Sequence, residues 1–370
     1  MDNTKKARVI AFYLPQFHPI PENDRWWGKG FTEWTNVGKA KPLFKGHYQP
    51  RVPADLGYYD LRMPEVREAQ AKMAREAGIE GFCYWHYWFG NGKKLLERPF
   101  QEVLSSGKPD FPFCLGWANH SWTNKSWEAG TKRIKESTLV EMVYNKEEYV
   151  KHFYEVLPAF KDERYIQVDG KPLFLVFRPL EITDPHVFID IWQELAKKSG
   201  LKGIYFVGIA HNMLPQDLTF KNILLKNASD NSAFNYNSVL NAGYDAVNSR
   251  GYNRADYYSR SLIDFLWRGI CLRAFKYAPI SKCDQKKINQ YMYVKEDKWN
   301  NVFPTLMPNW DRTARSGSKA RIYTNSTPKL FRKQLLDVLD ILSNKDSEYR
   351  IAFLMSWNEW AEGNYVEPDL

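Results

Sequence analysis

The sequence predicts an α/β protein, a single (β/α)8 TIM barrel spanning residues 1–370. Three observations predict it. Short apolar runs recur eight times, most of them continuously apolar, as in strands buried on both faces. Stretches with helical apolar spacing lie between them, the mark of parallel βαβ units. Polar and aromatic residues cluster just after the runs, where a barrel carries its chemistry. A doubly wound sheet is the runner-up.

The strands are expected at 8–14, 81–88, 111–117, 172–178, 203–210, 244–248, 302–310 and 351–357. Helices are expected at 64–77, 95–104, 146–157, 185–198, 255–275 and 328–342. Gly78 ends the first helix. Pro185 and Pro328 suit a first helical turn, with Asp184 and Thr327 as N-caps. No repeat, low-complexity linker or composition break divides the chain, so one domain is expected. The sixth strand is short and poorly apolar. The chain also stops soon after the eighth run, so either the final closing helix is lacking or another element covers that seam.

An apolar fraction of 44%, with 14 Trp and 22 Tyr, excludes a disordered chain. The net charge of +9 comes without a nucleic-acid motif, so no nucleic-acid partner is expected. Cys83, Cys114, Cys271 and Cys283 lack metal spacing and read as reduced, buried thiols. No apolar leader is visible at the start, and no run of 18 apolar residues occurs. A cytoplasmic location follows as the expectation. Residues 255–275 mix arginines with Phe265, Trp267 and Phe275. They read either as an outer helix with a solvated basic face or as a peripheral contact with the inner membrane.

The strand ends deliver the candidate site. Glu33 and Trp34 lie in the loop after the first strand; Tyr84, His86 and Trp88 end the second. Trp117, Asn119 and Trp122 follow the third, Arg178 the fourth, His211 the fifth and Trp310 the seventh. Asn358, Glu359, Trp360 and Glu362 follow the eighth. Each has a plainer structural alternative. His86 suits a hydrogen-bonded core, Arg178 a buried ion pair, and Glu33 and Trp34 loop packing. Glu359 and Glu362 carry the chemistry. Two carboxylates beside Trp357 and Trp360, after a buried strand, are costly without a purpose. Paired carboxylates serve acid–base work on a glycosidic bond, and aromatic rings stack on sugar faces. No Asp-x-Asp, Gly-x-Gly-x-x-Gly or Walker sequence occurs, so no metal and no cofactor is expected.

The runs GFTEWTNVGKAKPLFKGHYQP, DLGYYDLR, GIEGFCYWHYWF, LLERPF, WANHSWTNKSWE and WNEWAEGNYVEPD resemble the WbsX family, from about residue 8 to the end. That bacterial group is described as glycosyltransferases of cell-surface polysaccharide gene clusters. It is similar to glycoside hydrolase family 99, the endo-α-mannosidases and endo-mannanases, which are (β/α)8 barrels. The resemblance implies a metal-independent retaining mechanism in O-antigen or capsule metabolism. Glu359 matches the base that takes the sugar 2-hydroxyl proton, and Glu362 the acid/base at the leaving oxygen. It implies an oligo- or polysaccharide substrate, with a lipid-linked glycan as one alternative. The chain departs from the pattern at His120, where family members carry an acid, and at DAVNSRGYN (245–253). Those departures keep a second reading open, a non-catalytic glycan-binding barrel.

Overall fold

A computed structural model describes residues 7–124, 137–211, 232–275 and 279–370. Eight strands form the barrel: β1 (Arg8–Tyr13), β2 (Gly81–Gly90), β3 (Phe113–Trp117), β4 (Lys171–Val176), β5 (Tyr205–Ala210), β6 (Ala246–Ser249), β7 (Val302–Leu306) and β8 (Ile351–Leu354). Each pairs in parallel with the next. β8 pairs with β1 and closes the ring, for instance at Ile10 against Phe353. Closure leaves no free edge and puts every barrel strand between two neighbours.

Helices cover the outside. Pro64–Glu76 opens on proline and turns its buried face, with Ala71 and Ala74, to the sheet. The Asp184 carboxylate accepts from Val187 N at 3.2 Å and starts Pro185–Lys198. The Thr327 hydroxyl accepts from Leu330 N at 3.3 Å and starts Pro328–Ser343. The expected helix at 95–104 runs over Arg98–Ser106. Ser232–Asn241 and Gln285–Gln290 are helices without a clear amphipathic signal in the sequence.

The expected helix at 255–275 is two, Tyr252–Ser259 and Leu262–Phe275. Arg260 breaks it in an extended conformation, gripped by Asp256 and Asp264, and the Ser261 hydroxyl accepts from Asp264 N at 3.1 Å. The second helix exposes an apolar stripe, with Arg273 exposed on the same helix. Ile263, Leu266, Trp267 and Ile270 follow helical spacing and are exposed, Ile263 to 78% and Trp267 to 56%. Among the described residues no helix is long and apolar enough to cross a membrane.

After β8 the chain makes one tight turn, Trp360–Glu362. Its last residues then bond back to the loop after β1, with Ala54 N on Pro368 O at 3.0 Å and Leu370 N on Val52 O at 3.0 Å. These contacts tie residues 368–370 to that loop.

Candidate active site

The carboxyl ends of the strands surround a cleft of about 1260 Å³. Its apolar wall includes Phe12, Trp85, Tyr87 and Trp122, and Glu359 and Glu362 face into it. The turn that carries them has about three residues per turn, so positions three apart stand on one side. Three contacts hold the turn. Glu359 N donates to Ser356 Oγ at 2.8 Å, and Asp311 N donates to Glu362 O at 2.8 Å. Gly363, at φ +64°, lies where a Cβ would stand 2.7 Å from Asp311 O, so only glycine fits.

Arg315 ties the acids together. Its Nη1 donates to Glu362 Oε1 at 2.6 Å, and its Nη2 donates to Glu359 Oε1 at 2.7 Å and Glu33 Oε1 at 3.0 Å. Arg312 adds a second cation 3.1 Å from Glu362. Arg315 sits on the short helix Thr313–Ser316, begun by Asp311 Oδ1 accepting from Thr313 N at 3.0 Å. His47 and Gln49 hold the other Asp311 oxygen at 2.8 and 2.7 Å. Their hydrogen bonds and those of Thr313 outweigh burial and keep Asp311 below the usual carboxylate range.

The three glutamates differ in how readily they hold a proton. Burial pushes Glu359 well above its ordinary pKa against the pull of Arg315, and the neighbouring Glu33 and Glu362 push it further. Burial raises Glu33 as well. Glu362 goes down, because Arg312, Arg315 and Arg250 outweigh its burial. Of the three, Glu359 therefore holds a proton most readily and Glu362 least.

The cleft also takes in Trp122, Arg178, His211 and Trp310 among the expected residues. Arg178 is paired with Glu181 at 2.7 Å, and the His211 ring bonds Phe177 O at 2.7 Å. Glu33 lies just beneath, fully buried on Arg315. The other expected residues turn elsewhere. Along β2, Trp85 and Tyr87 face the cleft, so Tyr84, His86 and Trp88 face outward. Tyr84 packs on Phe100, 5.3 Å between centroids. His86 meets His152 of the helix Lys146–Phe160 at 2.9 Å, and Trp88 stacks on His152 at 5.2 Å. Trp117 packs edge-on to His152 at 4.7 Å and donates its indole N–H to Trp88 O. Asn119 is a staple: its oxygen accepts from Arg178 N at 2.7 Å, and its amide donates to Arg178 O at 2.9 Å. Asn358 binds both polar groups of the Leu14 backbone in the same way, at 2.7 and 3.0 Å. Trp34 and Trp360 pack on each other at 5.3 Å below the site. In the structure these eight pack or brace the rim.

Arg250, Arg312 and Arg315 were not anticipated. Arg250 lies two residues after the short sixth strand run, and a basic residue there carries no pattern of its own. The Arg315 helix is four residues long, too short for periodicity to show.

A parallel barrel with a carboxylate-lined cleft at its strand ends has the build of a barrel enzyme. The family model for Glycosyltransferase WbsX matches residues 9–370, and the chain belongs to that family. The uncharacterized protein WxcX of Xanthomonas campestris pv. campestris is 33% identical over 372 residues, all of this chain and 48% of the relative. The counterpart in strain B100 matches to the same extent. The chain thus spans about half the length of the curated relatives it matches. Among solved structures, a glycoside hydrolase-like protein aligns with TM-score 0.57 at 14% identity, over all of this chain and 89% of that one. A GH99 endo-alpha-mannosidase from Bacteroides thetaiotaomicron, in complex with BIS-TRIS-propane, aligns with TM-score 0.54 at 15% identity, over all of this chain and 88% of that one. These two likenesses establish the barrel fold.

Proposed function

We propose that the chain makes or breaks glycosidic bonds of a bacterial cell-surface oligo- or polysaccharide, with Glu359 and Glu362 as its catalytic pair. The carrying observation is that Arg315 gathers Glu33, Glu359 and Glu362 at the edge of an aromatic-walled, sugar-sized cleft. Their surroundings push the pair apart, Glu359 up and Glu362 down, which suits acid–base work at one bond.

In the retaining scheme that the family resemblance implies, the pair works in two steps. One glutamate takes the 2-hydroxyl proton as the 2-oxygen attacks the anomeric carbon. The other gives a proton to the leaving oxygen as the glycosidic bond breaks. Water or an acceptor hydroxyl then opens the three-membered ring, and the protons return. The resemblance makes Glu359 the base and Glu362 the acid. The directions of the two shifts favour the opposite starting point, with the proton on Glu359.

Reducing-end release, or transfer to an added acceptor, from the host's own surface polysaccharide tests the assignment. Wild-type turnover that survives both Glu359→Gln and Glu362→Gln removes it. A wild type that binds glycan tightly with no turnover favours the non-catalytic barrel.

A lipid-linked substrate is part of this reading. The exposed stripe Ile263, Leu266, Trp267 and Ile270 suits burial in a bilayer interface, and Arg273 beside it suits anionic headgroups. Arg268 and Gly269 of the same helix line the cleft, so docking would bring the cleft to the membrane. Four unpaired, buried cysteines favour a reducing, cytoplasmic setting. Flotation with anionic liposomes should be lost in Trp267→Glu; failure of the wild type to float rejects docking.

A further inference from the structure

Arg250 follows β6 and lines the cleft, yet is only 3% exposed. Its guanidinium lies 4.7 Å from the Phe12 ring centre and 5.7 Å from those of Trp85 and Phe177. Aromatic rings attract the cation but do not saturate its N–H donors. Nε reaches Asn248 Oδ1 only at 3.5 Å, and Nη2 has no hydrogen-bond partner. The other arginines of the cleft are satisfied differently. Arg178 pairs with Glu181, Arg260 with Asp256, and Arg312 and Arg315 with Glu362. Among the described residues, Arg250 has no carboxylate at ion-pair distance.

A buried cation with no carboxylate partner is costly, so Arg250 at the cleft wall points to a ligand anion. The wall agrees, since it carries eight basic and four acidic side chains. The backbone holds Arg250 in place: a Cβ on Gly251 would stand 2.0 Å from Met292 O.

We infer that Arg250 anchors an anion subsite on the cleft floor, and that the substrate sugar carries a carboxylate or phosphate there. This rests on the glycan-acting reading above and names its substrate class, an acidic rather than neutral glycan. Two adjacent oxygens on one centre match the guanidinium fork. Occupation has a consequence for the pair. Arg250 helps to keep Glu362 ionised, and an anion on Arg250 weakens that pull, moving Glu362 towards the proton-donating form.

The test is equilibrium binding to the full chain, followed by tryptophan fluorescence with Trp85 as the neighbouring reporter. The probes are D-glucuronate, D-glucose 6-phosphate and neutral D-glucose. At least one acidic sugar should bind about ten-fold tighter than glucose, and Arg250→Met should remove that preference. Which acid binds better separates carboxylate from phosphate. Arg250→Lys keeps the charge, loses the fork and should retain only part of the preference; it serves if the Met variant does not fold. Equal binding of acidic and neutral sugars by the wild type overturns the inference. So does a preference that survives in a folded Arg250→Met protein or is undiminished in Arg250→Lys. The readout needs no turnover. Loss of the preference therefore leaves the glutamate assignment standing, and inactive-pair variants that keep the preference leave this subsite standing.

Discussion

Arg315 Nη2 lies 2.7 Å from Glu359 Oε1, while Nη1 of the same guanidinium lies 2.6 Å from Glu362 Oε1. One planar cation thus spans the two acids and touches Glu33 as well. Arg315→Met should abolish turnover and cost about 3–5 kcal/mol, because carboxylates are left buried without their cation. The loss should shrink as pH falls, since protonation removes the unpaired charge. Denaturant melts at pH 7 and pH 5 measure this; equal losses at both would mean the cation does not balance the acids.

Glu359→Gln and Glu362→Gln should each lower turnover by about 10²–10⁴-fold. The two differ with a substrate bearing a good leaving group. The variant lacking the first proton donor is rescued, and the other is not. If the resting charges govern, rescue falls on Glu359→Gln; if the family pattern governs, on Glu362→Gln.

Glu367 is buried and accepts from Tyr59 OH at 2.8 Å, Gln70 Nε2 at 2.6 Å and Trp360 Nε1 at 2.7 Å. Burial outweighs these donors and lifts its pKa from 4.5 to about 7. Its folded pKa is raised, so the folded state holds the proton more tightly. Stability should fall as pH rises from about 4.5 to about 7, by up to about 3 kcal/mol from this group. Glu367→Gln should flatten that slope. Glu367→Ala should cost about 3 kcal/mol by stranding three buried donors. Urea melts across this pH range check both.

His86 and His152 face each other, ring nitrogens 2.9 Å apart, inside an aromatic shell. Burial pulls His86 down to about 3 and His152 well below its ordinary value, so both are neutral. A depressed histidine pKa means that the unfolded chain binds the proton more readily. Stability should therefore drop as pH falls below about 6.5 towards 3. The double variant His86→Leu, His152→Leu should move the acid-unfolding midpoint to lower pH. An unchanged midpoint would show that other groups dominate.

Gly251→Ala should destabilise by about 1–3 kcal/mol and also weaken ligand binding, since relief of the clash with Met292 O moves Arg250 and Tyr252. A melting temperature equal to wild type would contradict the packing.

Much of the barrel was legible in the chain. Continuous apolar runs are what doubly covered strands require, and proline with Asp184 or Thr327 marks helix starts that the structure keeps. The rim was legible only as a set of neighbourhoods. In GFCYWHYWF both faces are aromatic, so composition cannot say which alternate residues point inward. The structure turns Trp85 and Tyr87 in, and Tyr84, His86 and Trp88 out. Arg260 likewise broke an expected long helix through ion pairs to Asp256 and Asp264.

By itself, then, the sequence determined the parallel barrel, the order of its strands and the position of Glu359 and Glu362 at the last strand end. These follow from local pattern and from steric rules that hold for any chain. Only the tertiary structure decided the charge of the site. Glu33, Arg250 and the pair Arg312 and Arg315 come from three separate segments and meet the two acids at the cleft. Burial and ion pairing act through space, so which acid keeps its proton depends on neighbours far away along the chain.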